Sequence, residues 1–449
     1  MNTTPNAPLP DAPQGIGGKG FFVTSLIFLV LACAMLAGRP DFLLTPTLTK
    51  HGVAWFMLAF FGCGLCGVFG VVYWAVPKVF GAPLYSEKIV FLHYGFHLAG
   101  TLMALLALVW PSGARSDMAM TFIACGAIAM GINILGTFMR PAKPDVASAF
   151  LATSVLWLLI VALGGLPFLG EPPVKGMPAP QWISAWMLLA ITGVALNLPM
   201  GLALRLTPAV LGVKGDRPGS AWYALVFSNA GLAWMFAAAA YGTHGFLVVC
   251  AVVYAVGVLL YFARYFAMLQ KRSMRVLPWD TKIVLTSVSL VPVAAGLLVW
   301  AAWLRIPAPV VEAPAGAVVP PLPPPAEPAT GALPLEFLPV DAAMVLICLL
   351  CVAVPMIVAL AFSLQRLSWS EAGGGFRGKL AEQILLAAYF NFMAGALLVV
   401  PGAWFGIGQM LGLGTLFLLV GSLGFLGNYF FAEGKLPAPA LPSGAPAAG

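Results

Sequence analysis

Four histidines carry most of the metal-binding potential of this chain: His51, His93, His97 and His244. His93 and His97 are four positions apart, so their imidazoles share one face of a helix, as two ligands of one metal ion would. Histidine inside an apolar helix is costly, which favours a functional role. The spacing is equally typical of buried polar side chains that hydrogen-bond to neighbouring helices. The pair therefore predicts either a metal or quinone-contact site or a structural hydrogen-bonded pair.

The elements that position these histidines are strongly apolar. Of the 449 residues, 61% are hydrophobic and 8% are charged, and the mean hydropathy is +0.97. No water-soluble fold covers so much apolar surface, whereas about 20 apolar residues in a helix span a bilayer. Charged or Pro/Gly-rich breaks separate twelve such stretches: 21–38, 51–76, 88–110, 118–139, 146–165, 182–206, 219–242, 244–269, 281–304, 340–364, 379–401 and 407–431. We therefore predict an all-α membrane protein with about twelve transmembrane helices.

The basic residues are unevenly distributed between the two sides of this layout. Seventeen of the 22 Lys and Arg residues (22 − 5 = 17) fall in breaks on the side of the N-terminus. The five on the other side are Arg39, Lys50, Arg115, Lys175 and Arg305. The positive-inside rule makes the basic side cytoplasmic. Both termini are therefore predicted to be cytoplasmic, and the net charge of +7 indicates topology, with no nucleic-acid partner.

The predicted organisation has five parts. A cytoplasmic tail (1–20) precedes helices one to nine (21–305), and a linker (306–337) leads to helices ten to twelve (338–432) and a cytoplasmic tail (433–449). The linker is rich in Pro and Ala, so it should be extended and non-globular, on the periplasmic side. It is either a spacer or a segment that docks a partner.

A short internal repeat is also visible. Pro-Lys-Val-Phe-Gly at 77–81 ends the second predicted helix, and Pro-Ala-Val-Leu-Gly at 208–212 ends the sixth. The two motifs are therefore four helices apart. This spacing predicts a bundle of pseudo-repeated four-helix units.

The most specific motifs run from the second helix into the third. They are His-Gly-Val-Ala-Trp-Phe-Met at 51–57, Tyr-Trp-Ala-Val-Pro at 73–77 and Leu-Tyr-Ser-Glu-Lys at 84–88. This stretch resembles subunit I of the haem-copper oxidases, in particular the cbb-type cytochrome c oxidases and bacterial nitric oxide reductases. Segments 131–140 and 217–220 resemble the family more loosely. The resemblance covers most of the chain in helix order and implies an oxidase-like bundle in the bacterial inner membrane.

The resemblance implies one haem ligand. In the family, a histidine that opens helix two binds the low-spin haem, and His51 occupies that position; the alternative is an interfacial histidine. The family's His-x-His pair on helix ten falls on Leu346 and Cys348. Cys348 and Met344 are therefore the candidates for the opposite side of a haem b at His51, unless both are packing residues.

The copper ligands of the family are missing from the sequence. No histidine lies in 182–206, and the family's histidine pair near the end of helix seven falls on Ala240 and Tyr241. The resemblance thus implies at most one b-type haem, no copper centre and no catalytic residue. Helix three runs outward, so His93 and His97 should lie about 20 Å along the axis from His51, too far to share its iron.

Three functions remain open. The first is an oxidase-like membrane subunit of a respiratory electron-transfer complex, with partners such as a cytochrome c. The second is a secondary transporter or a non-catalytic scaffold, and the third is an active cytochrome c oxidase or nitric oxide reductase. The mid-helix polar residues are uncharged, which counts against ion-coupled transport: Asn133, Asn197, Asn229 and Asn391.

Overall fold

The computed structural model describes residues 16–44, 55–80, 83–109, 113–139, 145–164, 185–213, 219–241, 243–272, 277–304, 345–371 and 376–433. All regular structure in these ranges is helical, and twelve helices are long and apolar enough to cross a membrane. The predicted all-α membrane protein of about twelve helices is confirmed. His51, Met344 and the linker 306–337 lie outside the described residues.

Nine helices are single α-helical rods: α1 (Ile16–Gly38), α3 (Glu87–Val109), α4 (Gly113–Phe138), α5 (Val146–Gly164), α7 (Gly219–Ala240), α8 (His244–Gln270), α9 (Trp279–Leu304), α11 (Phe376–Phe405) and α12 (Gly408–Glu433). The other three contain a π-helical segment close to their first residues, which are α-helical at 55–56, 185–189 and 345–346: α2 (π at Met57–Leu65, then Cys66–Val79), α6 (π at Ala190–Leu196, then Asn197–Leu211) and α10 (π at Ile347–Ala353, then Val354–Glu371). The first helix begins at Ile16, one turn and a half before its predicted start at position 21.

Helices α2, α6 and α10 form the centre of the bundle. In each of these three helices, 94% of the most apolar 18-residue stretch is buried inside the protein. The buried share of the corresponding stretch is 33–61% in the other nine helices. The central helices are therefore surrounded by protein on all sides, whereas each outer helix keeps a face at the surface of the bundle. The three contact one another, and the other nine form a closed ring around them in which α12 packs on α1.

The ring has a threefold order. The pairs α3 and α4, α7 and α8, and α11 and α12 pack together, and α4, α8 and α12 then contact α5, α9 and α1. Each four-helix unit thus supplies one central helix and three outer helices. The predicted four-helix units are confirmed by these contacts.

Glycine contacts repeat in the same register. In each of the pairs α3 and α4, α7 and α8, and α11 and α12, a glycine of the first helix faces the backbone nitrogen of a residue on the second helix. A Cβ atom added at these glycines would lie 2.9, 2.4 and 2.6 Å from that nitrogen, so the backbones touch: Gly100 and Ile123, Gly231 and Tyr254, Gly395 and Leu418. Both members advance by the same step in sequence number from the first unit to the second (231 − 100 = 254 − 123) and from the second to the third (395 − 231 = 418 − 254). The sequence motifs at 77–81 and 208–212 are related by that same first step (208 − 77 = 231 − 100).

Two of the three π-helical segments follow this register too, whereas the segment of α10 ends at Ala353, short of the position that the second step gives (353 − 196 is less than 395 − 231). The segments of α2 and α6 end at Leu65 and Leu196, which are again one such step apart (196 − 65 = 231 − 100), and the three segments contact one another at one level of the centre. A π-helical turn widens a helix and loosens its backbone hydrogen bonding, and such turns are frequent at functional sites.

Candidate functional site

The main polar cluster lies inside the first four-helix unit, on α3. The side chains of His93 and His97 are 0% and 2% exposed, and their ring centroids are 5.9 Å apart. Phe69 of α2 packs on both rings at 4.6 and 5.1 Å, and Phe21 of α1 covers His93 at 4.8 Å. The pair therefore shares one face of α3 as predicted, and that face is turned into the protein.

His93 is held from α2 by a tyrosine. The Nδ1 atom of His93 is 2.8 Å from the hydroxyl oxygen of Tyr73. Its Nε2 atom is buried and has no hydrogen-bond partner among the described residues. One ring nitrogen is thus fixed and the other is unsatisfied.

His97 is held by the backbone of α2. Its Nε2 atom lies 2.9 Å from the carbonyl oxygen of Phe61. A carbonyl can only accept, so Nε2 carries the proton and donates. Phe61 belongs to the π-helical segment Met57–Leu65, a type of turn that is frequent at functional sites. The wide turn of α2 therefore supplies the acceptor that orients His97.

Asn133 of α4 holds the backbone directly before α3, and this contact helps to fix the position of the histidines along the bundle axis. Its side chain accepts from the backbone N–H of Ser86 at 3.0 Å and donates to the carbonyl of Ser86 at 3.0 Å. The N–H of Tyr85 donates to the hydroxyl of Thr137 at 2.8 Å. Three residues of the motifs at 73–77 and 84–88 thus hold α3 or its start: Tyr73, Tyr85 and Ser86.

The other two units pack without these polar groups. The steps that relate the units place Ala224 and Ala388 at the position of His93, and Ser228 and Phe392 at that of His97 (224 − 93 = 228 − 97; 388 − 224 = 392 − 228). Leu204 stands at the position of Tyr73 (204 − 73 = 224 − 93). The fold therefore does not require the imidazoles or the phenol.

Of the predicted haem ligands, only Cys348 can be placed. It is 2% exposed and lies in the π-helical segment of α10. At this level the three central helices touch, and aromatic rings fill the space between α2 and α6, with Phe61 5.8 Å from Trp186. A porphyrin beside Cys348 would have to displace this packing, and a haem bound by Cys348 stays a prediction. A haem at His51, with Met344 or another ligand, stays a prediction because both residues lie outside the described ranges.

The described residues contain no group of three His, Cys, Asp or Glu side chains that could hold a metal ion. Both histidines instead hydrogen-bond across helices, which is the structural alternative predicted for the pair. The metal alternative is not excluded by these bonds, because one nitrogen of His93 stays unpartnered among the described residues.

The remaining mid-helix asparagines form hydrogen bonds either to a neighbouring helix or to the backbone of their own helix. Trp157 of α5 donates to the Oδ1 atom of Asn229 on α7 at 2.6 Å, and the Nδ2 atom of Asn197 is 3.5 Å from the same oxygen. Asn391 donates to Ala387 of its own helix at 2.8 Å. These contacts are interhelical or local, and none links two ionisable groups.

Sequence reasoning missed the π-helical segments and the tyrosine that holds His93. Periodicity cannot reveal a π turn in a helix that is apolar on every side, because no polar face marks the phase. Tyr73 stood in the quoted motif, and its role required the position of α3. Fold and site together define a polytopic α-helical membrane protein with three four-helix units and a buried histidine pair in the first. Neither a scan of protein-family models nor a search of curated proteins gives a match to this chain.

Proposed function

We propose that the chain is an oxidase-like membrane subunit of a respiratory electron-transfer complex that binds at most one b-type haem and does not reduce oxygen or nitric oxide. The observation that carries the proposal is the arrangement of three four-helix units around three buried central helices. It agrees with the architecture that the motifs at 51–57, 73–77 and 84–88 imply.

The positions of the family's copper ligands support the absence of catalysis. The described part of α6, from Ala185 to Leu211, contains no histidine. At the end of α7, Ala240 is buried, and Tyr241 is 71% exposed and turned away from the centre. A copper site needs imidazole or thiolate ligands that converge on one point, and these positions supply none.

A bound haem b would supply one-electron transfer through its iron. His51 is the proposed ligand because it occupies the family position at the start of the second helix. Cys348 is a weaker candidate for the opposite side, because its surroundings are closely packed. Met344 remains a candidate on its motif position alone.

The test is a reduced-minus-oxidised visible spectrum of the purified chain. We expect a b-type α band from the wild type and from the control variant His244→Ala, and loss of the band from His51→Ala. If correctly folded wild-type protein shows no such band, the proposed haem is rejected and the scaffold function is favoured. Copper and two haems bound to this chain alone would contradict the proposal.

A non-catalytic scaffold is the closest second function, and the packing favours it over a transporter. Transporters commonly use broken helices and charged residues near the membrane midplane. Here the central helices continue through their π-helical turns without a break. In each of them, 94% of the most apolar 18-residue stretch is buried. Purification of the tagged chain from native bacterial membranes should bring down other respiratory subunits, such as a cytochrome c. Recovery of the chain alone would count against a respiratory complex.

A further inference from the structure

We propose that His93, His97 and Met130 form a buried site for one soft monovalent metal ion, Cu⁺, between α3 and α4. The proposal does not depend on a haem at His51.

The hydrogen bonds of the two imidazoles are of the kind that ligating histidines make. A ligating histidine usually gives its other ring nitrogen to an oxygen atom, which fixes the orientation of the ring. Tyr73 provides that oxygen for Nδ1 of His93, and the carbonyl of Phe61 provides it for Nε2 of His97. The nitrogens left for a metal are Nε2 of His93 and Nδ1 of His97.

The Nε2 atom of His93 gives this site its independent evidence. It belongs to a fully buried side chain and has no partner among the described residues. Burial of an unsatisfied polar atom destabilises a protein, and alanine, which stands at the equivalent positions 224 and 388, would avoid that cost. A bound ion would satisfy the atom.

The helices also stand farther apart at this point than in the other units. A Cβ atom added at Gly126 of α4 would lie 3.4 Å from the nitrogen of His97 and 3.3 Å from Cδ2 of His93. At the equivalent Gly257 and Gly421, the corresponding distances to the backbone nitrogen are 2.3 and 2.6 Å. The separation of α3 and α4 at this position is thus the largest of the three, and the Cδ2 atom of His93, which is bonded to Nε2, lies beside it.

The register of the two antiparallel helices brings a third ligand to the gap. Gly100 faces Ile123 and His97 faces Gly126, so one turn farther along α4 the residue opposite His93 is Met130 (100 + 123 = 97 + 126 = 93 + 130). Met130 is 0% exposed. Its thioether is a soft ligand.

This ligand set selects the ion. A thioether with imidazoles favours Cu⁺ over harder cations, whereas Zn²⁺ normally takes four ligands. No carboxylate joins the site among the described residues, so a divalent ion would bring more uncompensated charge into an apolar interior.

The experiment is an anaerobic titration of the detergent-solubilised full chain with Cu⁺ held by the chelator bicinchoninate. The seven free cysteines can also take Cu⁺, so the quantity measured is the difference between variants at one chelator concentration. We expect His93→Ala and His97→Ala to lose one equivalent of Cu⁺, and Met130→Leu to weaken that equivalent at least tenfold. His244→Ala should bind as the wild type does.

X-ray absorption of the bound copper separates this site from the thiols. We expect nitrogen scatterers that disappear in His93→Ala, and a sulfur scatterer that weakens in Met130→Leu. Met130→Leu preserves volume, so it should fold even if the histidine variants do not. Equal Cu⁺ binding by the wild type and all three site variants, or no Cu⁺ bound by the wild type, would overturn the proposal.

Discussion

The hydroxyl of Tyr73 determines how the ring nitrogens of the buried His93 are hydrogen-bonded. It bonds Nδ1 of His93 at 2.8 Å, while Nε2 has no partner among the described residues. In a membrane interior, no water replaces a lost hydrogen bond. The state of His93 therefore depends on one residue of a neighbouring helix.

The change Tyr73→Phe should leave both ring nitrogens of His93 without a bond. We expect a loss of about 1–3 kcal/mol in the free energy of unfolding, the cost of an unsatisfied buried polar group. The measurement is unfolding of the purified protein in mixed micelles by increasing sodium dodecyl sulfate. Tyr223→Phe is the control, because that ring is 64% exposed on α7 and the variant should match the wild type. An unchanged midpoint for Tyr73→Phe would mean that its hydroxyl is not needed.

At this scale the sequence predicted the shared face of His93 and His97 and could not predict their partners. The i, i+4 spacing is a local property of one helix. The bonds to Tyr73 and to the Phe61 carbonyl depend on which helix lies beside α3 and on a π turn in that helix. Neither is encoded in the local pattern around residues 93–97.

Among the elements, the glycine contacts decide how closely the outer helices approach. A Cβ atom at Gly257 would lie 2.3 Å from the backbone nitrogen of Ser228, and one at Gly126 would lie 3.4 Å from that of His97. Backbone atoms cannot move aside as a flexible side chain can, so the helices themselves must separate. The three units therefore differ in how well they tolerate a side chain larger than glycine at this equivalent position.

Alanine at the three equivalent glycines should destabilise the protein in a fixed order. We expect Gly257→Ala to be the most damaging, Gly421→Ala next and Gly126→Ala the least, with overpacking costing about 1–3 kcal/mol at the tightest site. Gly427→Ala on α12 meets nothing within 4 Å and is the matched control. The check is the same micelle unfolding. Equal effects at Gly257 and Gly126 would contradict the wider gap between α3 and α4.

The start of α3 depends on Asn133. Asn133→Ala removes both bonds to the backbone of Ser86, so we expect faster hydrogen exchange in residues 83–90 and a lower unfolding midpoint. Asn391→Ala removes only a bond within its own helix and should leave exchange in this region unchanged. Protection at 83–90 that survives Asn133→Ala would show that other contacts hold this segment.

For the whole molecule, hydropathy alone predicted the number and order of the helices, because each span is long and each break is charged or rich in Pro or Gly. Burial of α2, α6 and α10 was not predictable in this way, since their composition differs little from that of outer helices. In the sequence, the threefold order is visible as the short five-position motif and as glycines at equivalent positions of the three units. Close helix contacts require a small residue, which explains why these glycines repeat where most other residues do not.

The orientation predicted from the basic residues can be tested with reporters. With an even number of spans, both termini should lie on the same side, and the positive-inside rule makes it the cytoplasm. Alkaline phosphatase inserted within the linker 306–337 should be active, and the same enzyme within 273–276, between α8 and α9, should be inactive. The reverse pattern would invert the topology, and activity at both sites would contradict the helix count.

The contact that closes the ring joins the first helix to the last. Helix α1 ends at Gly38 and α12 begins at Gly408, so translation must pass through ten further helices before the two can meet. At about 5–20 residues per second, roughly 20–70 s pass before α12 arrives. During that interval the flank of α1 that α12 will cover faces lipid or an insertion factor. A ribosome that stops after α11 would release a bundle whose ring of outer helices is not closed, with the α12-facing side of α1 uncovered.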